Sequence, residues 1–112
     1  MAIRTFAAID VGSFELEMGI YEMSYKTGIR RVDHIRHVIA LGKDTYSGGK
    51  ISYGLVEEMC QVLGEFAQIM KAYRVKDYRA YATSAMREAR NNQIILDQIR
   101  VRTGLTVRII SN

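Results

Sequence analysis

Two short strings among these 112 residues carry side chains suited to an anion. The first is "AIDVGS", residues 8–13, where Asp10 ends an apolar run and Gly12 and Ser13 follow. A carboxylate in that place can hold a hydrated divalent cation or orient a water. Gly12 permits a positive φ and lets a phosphate come close to backbone N–H groups, with the Ser13 hydroxyl as an extra donor. The second string is "YATSAMREARNN", residues 81–92. Thr83 and Ser84 stand where a strand pattern gives way to a helix pattern, a place where free N–H groups and the positive dipole end attract anions. Arg87, one turn in, has the planar fork that fits phosphate oxygens. Taken singly, each string also fits a plainer role, as a hairpin turn or as a Ser N-cap followed by surface charges. The case for a shared ligand needs both at the carboxyl ends of strands in one sheet, where open α/β sheets bind ligands.

Other chemistry-bearing residues are more ordinary. His34 and His37 fall on opposite faces of a strand and have no Cys or third His beside them, so they form no metal set. Cys60 lies in an apolar helical pattern and reads as a core thiol. Lys43, just after "LG", suits a solvated lysine better than an anion contact.

The elements that must position these residues follow from periodicity. Residues 3–9 form an apolar run that reads as a strand buried on both faces. From Phe14 the chain alternates, with Phe14, Leu16, Met18 and Ile20 on one side and Glu15, Glu17, Gly19 and Tyr21 on the other. After turn residues at 24–28, residues 29–42 resume as a third strand, giving an antiparallel meander. Residues 43–52 read as a Gly- and Ser-rich loop. Ser52 suits the N-cap of a helix to about Tyr73, with an apolar stripe from Leu55 through Met59, Leu63, Phe66 and Met70. Residues 76–83 read as a fourth strand, Ser84 opens a short helix, Asn91–Asn92 restart a second, Gly104 fits a helix C′ position, and "LTVRII" reads as a fifth strand. The order βββαβαβ predicts an α/β fold with a mixed five-stranded sheet, a meander extended by parallel strands through helical crossovers.

Composition narrows the class. The length supports one domain, and 48% hydrophobic with 25% charged residues is an ordinary globular balance. No apolar run approaches the ~20 residues of a membrane span, and no signal-peptide pattern opens the chain. A lone cysteine excludes an internal disulfide and points to a reducing cytoplasm. The net charge of +4 comes from Lys and Arg mixed along the chain with acids, which argues against nucleic acid and leaves room for a phosphorylated partner. The chain stops just after an apolar strand, which suggests a piece of a longer protein.

In order and spacing, "IDVGS", "IALGK", a long helix, "AYATSAMREARN" and "GLTVRIISN" resemble the exopolyphosphatase and guanosine pentaphosphate phosphohydrolase family, part of the actin-like, sugar-kinase and chaperone ATPase superfamily. The likeness covers nearly all of residues 1–112. It implies a ribonuclease-H-like domain, half of a two-domain cleft for polyphosphate or a guanosine pentaphosphate with Mg²⁺ or Mn²⁺. Asp10 matches the family's metal-water residue. Gly12, Ser13, Thr83, Ser84 and Arg87 match its phosphate contacts. The family's catalytic glutamate follows the "IIS" strand, and its second phosphate loop, Asp-x-Gly-Gly-Gly-Ser, comes later still. Both are expected beyond Asn112, so no catalytic residue is expected within this chain.

The departures carry weight too. Phe14 and Glu15 stand where the family has Asn and Ser, and Glu17 where it has Arg or His. Glu15 and Glu17 share the face opposite the Phe14–Leu16–Met18 row. One such charge about 4 Å from a phosphate oxygen costs roughly 1 kcal/mol in water and roughly 4 kcal/mol at a partly shielded surface. The leading expectation is part of a phosphohydrolase using metal-assisted water attack. The alternatives are a binding or regulatory domain that lost the reaction, and a kinase or chaperone ATPase, which lacks the "ATSAxREARN" string. An exposed sheet edge also makes a homodimer an expectation.

Overall fold

A computed structural model describes residues 3–111. The chain opens with the expected meander, β1 (Arg4–Val11), β2 (Glu15–Ser24) and β3 (Gly28–Val38), whose neighbours run antiparallel. The alternation read from Phe14 onward holds from Leu16, since Leu16, Met18 and Ile20 are fully buried while Glu15 and Glu17 keep partial exposure on the other face. Phe14 departs from it: it lies in the turn before β2 and is 68% exposed. The same one-sided burial corrects the reading of the first strand. Ala7, Ile9 and Val11 are buried, but Ala8 and Asp10 between them are exposed. The apolar residues of the helices join only one face of the sheet in the core, so β1 is half-buried and its short Ala side chain at position 8 fits the bare face.

The third strand stops at Val38, short of Gly42. The next residues form a helix, α1 (Leu41–Gly48), where a loop was expected. "LGKDTYSG" is a poor helix former by propensity, and tertiary packing supplies what propensity lacks. Leu41 and Thr45, four apart, are buried on one side of α1, and the Thr45 hydroxyl donates to the Ala85 carbonyl at 2.8 Å. Gly49 closes the helix in the left-handed region at φ 79°, its N–H donating to Thr45 O. The left-handed φ is what calls for glycine at this position, since a Cβ there would meet only the movable tip of the Arg90 side chain.

Helix α2 (Tyr53–Ala72) follows with Ser52 at its N-cap position. The Ser52 side chain makes no cap bond; its amide donates to Asp44 Oδ2 at 2.8 Å, tying the entry of α2 to α1. Met59, Val62, Leu63, Phe66 and Met70 bury the predicted stripe, with Cys60 a buried free thiol whose pKa is raised by burial. Strand β4 (Asp77–Ala82) then lies parallel beside β1. A single-turn helix, α3 (Ser84–Glu88), and α4 (Asn92–Thr103) lead to Gly104 at φ 79°, the expected C′ residue. Strand β5 is far shorter than the six residues expected, pairing with β4 only through Arg108 and Ile109. Leu105 and Val107 are buried, but they serve the core before the ladder begins.

The sheet order is β3-β2-β1-β4-β5. This is the mixed, ribonuclease-H-like arrangement that the order of elements and the family resemblance imply, with β1 at the centre and parallel strands added on the side away from the meander.

Candidate functional site

The turn between β1 and β2 is built without a left-handed residue. Gly12 is not among the positive-φ glycines, contrary to the expectation drawn from its type. Its amide donates to Glu15 O at 3.0 Å, and a Cβ on Gly12 would lie 3.2 Å from that oxygen. Glycine is needed there for close approach of backbone. Gly12 N–H is therefore spent on the turn. Among the described residues, neither the Ser13 nor the Phe14 amide donates a backbone hydrogen bond. The turn is fixed from outside, because Ser13 O accepts from Gly42 N and Phe14 O from Ile39 N, both at 2.9 Å.

The second string arrives through the parallel pair. Thr83 N donates to Val11 O at 3.2 Å, extending the β1–β4 ladder by one step. That step places Ser84 Oγ 3.4 Å from Ser13 Oγ, across 71 residues of chain. The two strings therefore meet at the carboxyl ends of β1 and β4. Tyr46, which sequence reasoning passed over, joins them: its hydroxyl lies 2.5 Å from Ser84 Oγ. Hydrogen bonds from Ser84, then Ser13, hold the Tyr46 phenol below its ordinary pKa. With only one turn, α3 offers little macrodipole, so attraction for an anion rests on these hydroxyls and the nearby amides.

Arg87 is half-buried and already engaged. Nη1 donates to Ile110 O at 2.7 Å and Nε to Glu88 Oε2 at 3.3 Å, so the guanidinium ties α3 to the end of β5. The rest of the string is structural. Arg90 N donates to Gly49 O, and the Asn91 amide pairs with both backbone groups of Ile51, fixing the α1–α2 connection.

Asp10 lies on the bare face, directly opposite Glu17 in β2 and Tyr81 in β4. Partial desolvation at the strand end raises its pKa, and the charges of Glu17 and Glu15 raise it further. Glu15 and Glu17 themselves are compensated, which the sequence reading missed. Arg36 on β3 forks onto Glu15 Oε2 at 2.6 Å and 3.0 Å and lies 3.8 Å from Glu17 Oε1. His34 Nε2 lies 3.0 Å from Glu17 Oε1. The signal was present in the β2–β3 register, which sets Arg36 opposite Glu17 and His34 opposite Gly19. His37 faces the helix side, 2.7 Å from Glu58, so the two histidines do point to opposite faces. Lys43 is exposed on the first turn of α1.

A groove of about 640 Å³ lies at the other end of the sheet, between Arg4, Phe6, Met23, Lys76 and Arg79 at the amino ends of β1 and β4. It contains none of these site residues. A phosphate held at a rim needs convergent donors more than enclosure, so the hydroxyl cluster is the better candidate. For a metal, no three His, Cys, Asp or Glu side chains come together among the described residues. Asp10, exposed at the end of β1, offers a single carboxylate, the donor set of a hard cation that keeps most of its water shell. Chemically, the rim presents hydroxyl donors suited to an anion and one carboxylate suited to a hydrated cation.

The model of the Ppx/GppA phosphatase family matches residues 20–112. Exopolyphosphatase 1 of Mycobacterium leprae is 28% identical over 103 residues, which make up 91% of this chain and 30% of that protein. Exopolyphosphatase 1 of Mycobacterium tuberculosis H37Rv is 26% identical over 102 residues, with the same coverage. The crystal structure of the Aquifex aeolicus Ppx/GppA family member superposes with a TM-score of 0.93 at 27% identity, covering 97% of this chain and 35% of that one. RuvC of T. thermophilus, at TM-score 0.54 and 10% identity, shares the fold alone. The chain thus spans about 30% of the length of the curated relatives it matches. With most of its length inside the family match, the chain belongs to the Ppx/GppA phosphatase family.

Proposed function

We propose that this chain supplies one wall of a phosphohydrolase site that removes terminal phosphate from inorganic polyphosphate or guanosine pentaphosphate by attack of water. The observation that carries this reading is the meeting of Ser13 and Ser84 at the ends of the central parallel strands. Their hydroxyls, with Gly12 shaping the turn and Thr83 extending the ladder, hold phosphate oxygens at the rim. Arg87 serves the same anion by exchanging its Glu88 partner for phosphate, while its bond to Ile110 O keeps it in place. Asp10 orients water at the edge of the bare face. A Mg²⁺ or Mn²⁺ ion at Asp10 would supply charge neutralisation and a more acidic water. The family resemblance leads us to expect the glutamate that activates the water, and the second phosphate loop, outside these 112 residues.

The name exopolyphosphatase carried by the mycobacterial relatives weighs this proposal toward polyphosphate rather than the guanosine nucleotide. The test is phosphate release from polyphosphate by the full-length protein with Mg²⁺ or Mn²⁺. No release with either ion, from pure and folded protein, ends the reading. The alternative, a phosphate-binding regulatory domain without the reaction, now rests mainly on Phe14. That ring is 68% exposed where the family carries a polar residue, and it offers no donor. Tight polyphosphate binding with no release would support it. The carboxylate argument for it is weaker, because the Arg36 guanidinium lies against both Glu15 and Glu17. Among the described residues, no helix is long and apolar enough to cross a membrane.

A further inference from the structure

The hydroxyl cluster has a member on α1. Tyr46, Ser84 and Ser13 come from three different elements, yet their oxygens form a chain with separations of 2.5 Å and 3.4 Å. The place of Tyr46 in that chain is built. The preceding residue, Thr45, pins α1 to α3 through a buried hydrogen bond to Ala85 O. The phenol ring lies against Gly42, where a Cβ would sit 3.1 Å from Tyr46 Cε2 and 3.0 Å from Ser13 Cβ. Gly42 thus leaves the space in which the ring and the Ser13 turn share one wall. Each hydroxyl carries one proton on a rotatable bond, so bonds now made within the cluster can be redirected to an incoming acceptor.

We propose that Tyr46 is a further phosphoryl-binding residue, and that the hydroxyls of Ser13, Ser84 and Tyr46 turn together onto the oxygens of one terminal phosphoryl group. This deepens the phosphohydrolase reading and rests on it. A terminal phosphoryl group presents three non-bridging oxygens and an internal one only two, so three convergent donors select the chain end. The lowered Tyr46 pKa accords with donors already turned toward its oxygen.

Tyr46→Phe removes one oxygen and keeps the ring against Gly42. Tripolyphosphate is titrated into the full-length protein by calorimetry, in parallel with Ser13→Ala and Ser84→Ala. Tyrosine labelled with ¹³C at Cζ gives a second readout in the unsubstituted protein, with Tyr46 assigned through its backbone connectivities. The expected result is about tenfold weaker binding for Tyr46→Phe, a loss at least as large for Ser84→Ala, and a Tyr46 Cζ resonance that moves during titration. Unchanged binding by Tyr46→Phe, alongside losses in the two Ser variants, overturns the role of Tyr46 and leaves the phosphohydrolase reading standing. A Tyr46 resonance indifferent to tripolyphosphate overturns it equally, even if the Phe variant fails to fold. Binding unchanged in all three variants, or no binding by the unsubstituted full-length protein, overturns the underlying reading as well.

Discussion

Replacing Thr45 by Val tests the contact on which the candidate site is mounted. Thr45 is 4% exposed, and its hydroxyl donates to Ala85 O at 2.8 Å. That carbonyl has little alternative, because the Ala89 amide turns to Met86 O at the end of the one-turn α3. Valine keeps the shape, the branching and nearly the same helix propensity, so the change isolates the hydrogen bond. Leaving a buried carbonyl unpaired costs about 1–3 kcal/mol. At roughly 2.1 cal/mol/K per residue of unfolding entropy, a central cost of about 1.5 kcal/mol lowers the Tm of a chain this size by about 6 °C. The assay is thermal unfolding followed by far-UV circular dichroism, with Thr45→Ser as the control that retains the donor. A Val variant melting within about 1 °C of the unsubstituted protein refutes the reasoning, since α1 would then be held by apolar packing alone.

Three further outcomes are expected. Asp10→Asn stabilises the protein near neutral pH: with the folded pKa raised above the ordinary 3.8, the ionised carboxylate opposes folding, and stability falls as pH rises through the interval between 3.8 and that raised value. The gain shrinks as pH is lowered through the same interval, and Mg²⁺ raises the Tm of the unsubstituted protein but not of the variant; melts across pH and Mg²⁺ read both effects. Gly49→Ala costs about 1–2 kcal/mol for the left-handed conformation, with the Arg90 tip moving aside, read as a lower urea midpoint at unchanged slope. Arg36→Ala exposes Glu15 and Glu17 without their partner and weakens polyphosphate binding, with an effect that fades as salt is raised; equal affinity at low salt places both carboxylates away from the anion.

Residues whose environment is set by local pattern were legible, and residues whose environment comes from a distant strand were not. The Leu16–Met18–Ile20 row and the Met59–Leu63–Phe66–Met70 stripe were readable because period and burial coincide within one element. Gly104 was readable because a C′ residue answers to its own helix. Helix α1 was hidden, since its stability comes from Thr45 meeting Ala85, 40 positions along. The fifth strand was overread because Leu105 and Val107 are apolar for the core, while ladder pairing depends on how far β4 extends. At the site, the meeting of Asp10–Ser13 with Thr83–Arg87 followed from strand order. Tyr46 and Arg36 did not: each reaches the site by a contact between elements, visible only once helix docking or strand register is known.

The contact between Ser13 and Ser84 closes a span of 71 positions, and that distance says when the rim comes into being. The meander and the long helix can associate through nearer neighbours, whereas the rim waits for β4 to slot in beside β1. Pairings so remote in sequence form late in folding because loop closure opposes them. A phosphate ligand bound there would accordingly leave the refolding rate nearly unchanged and act as a brake on unfolding, lengthening the lifetime of the native state.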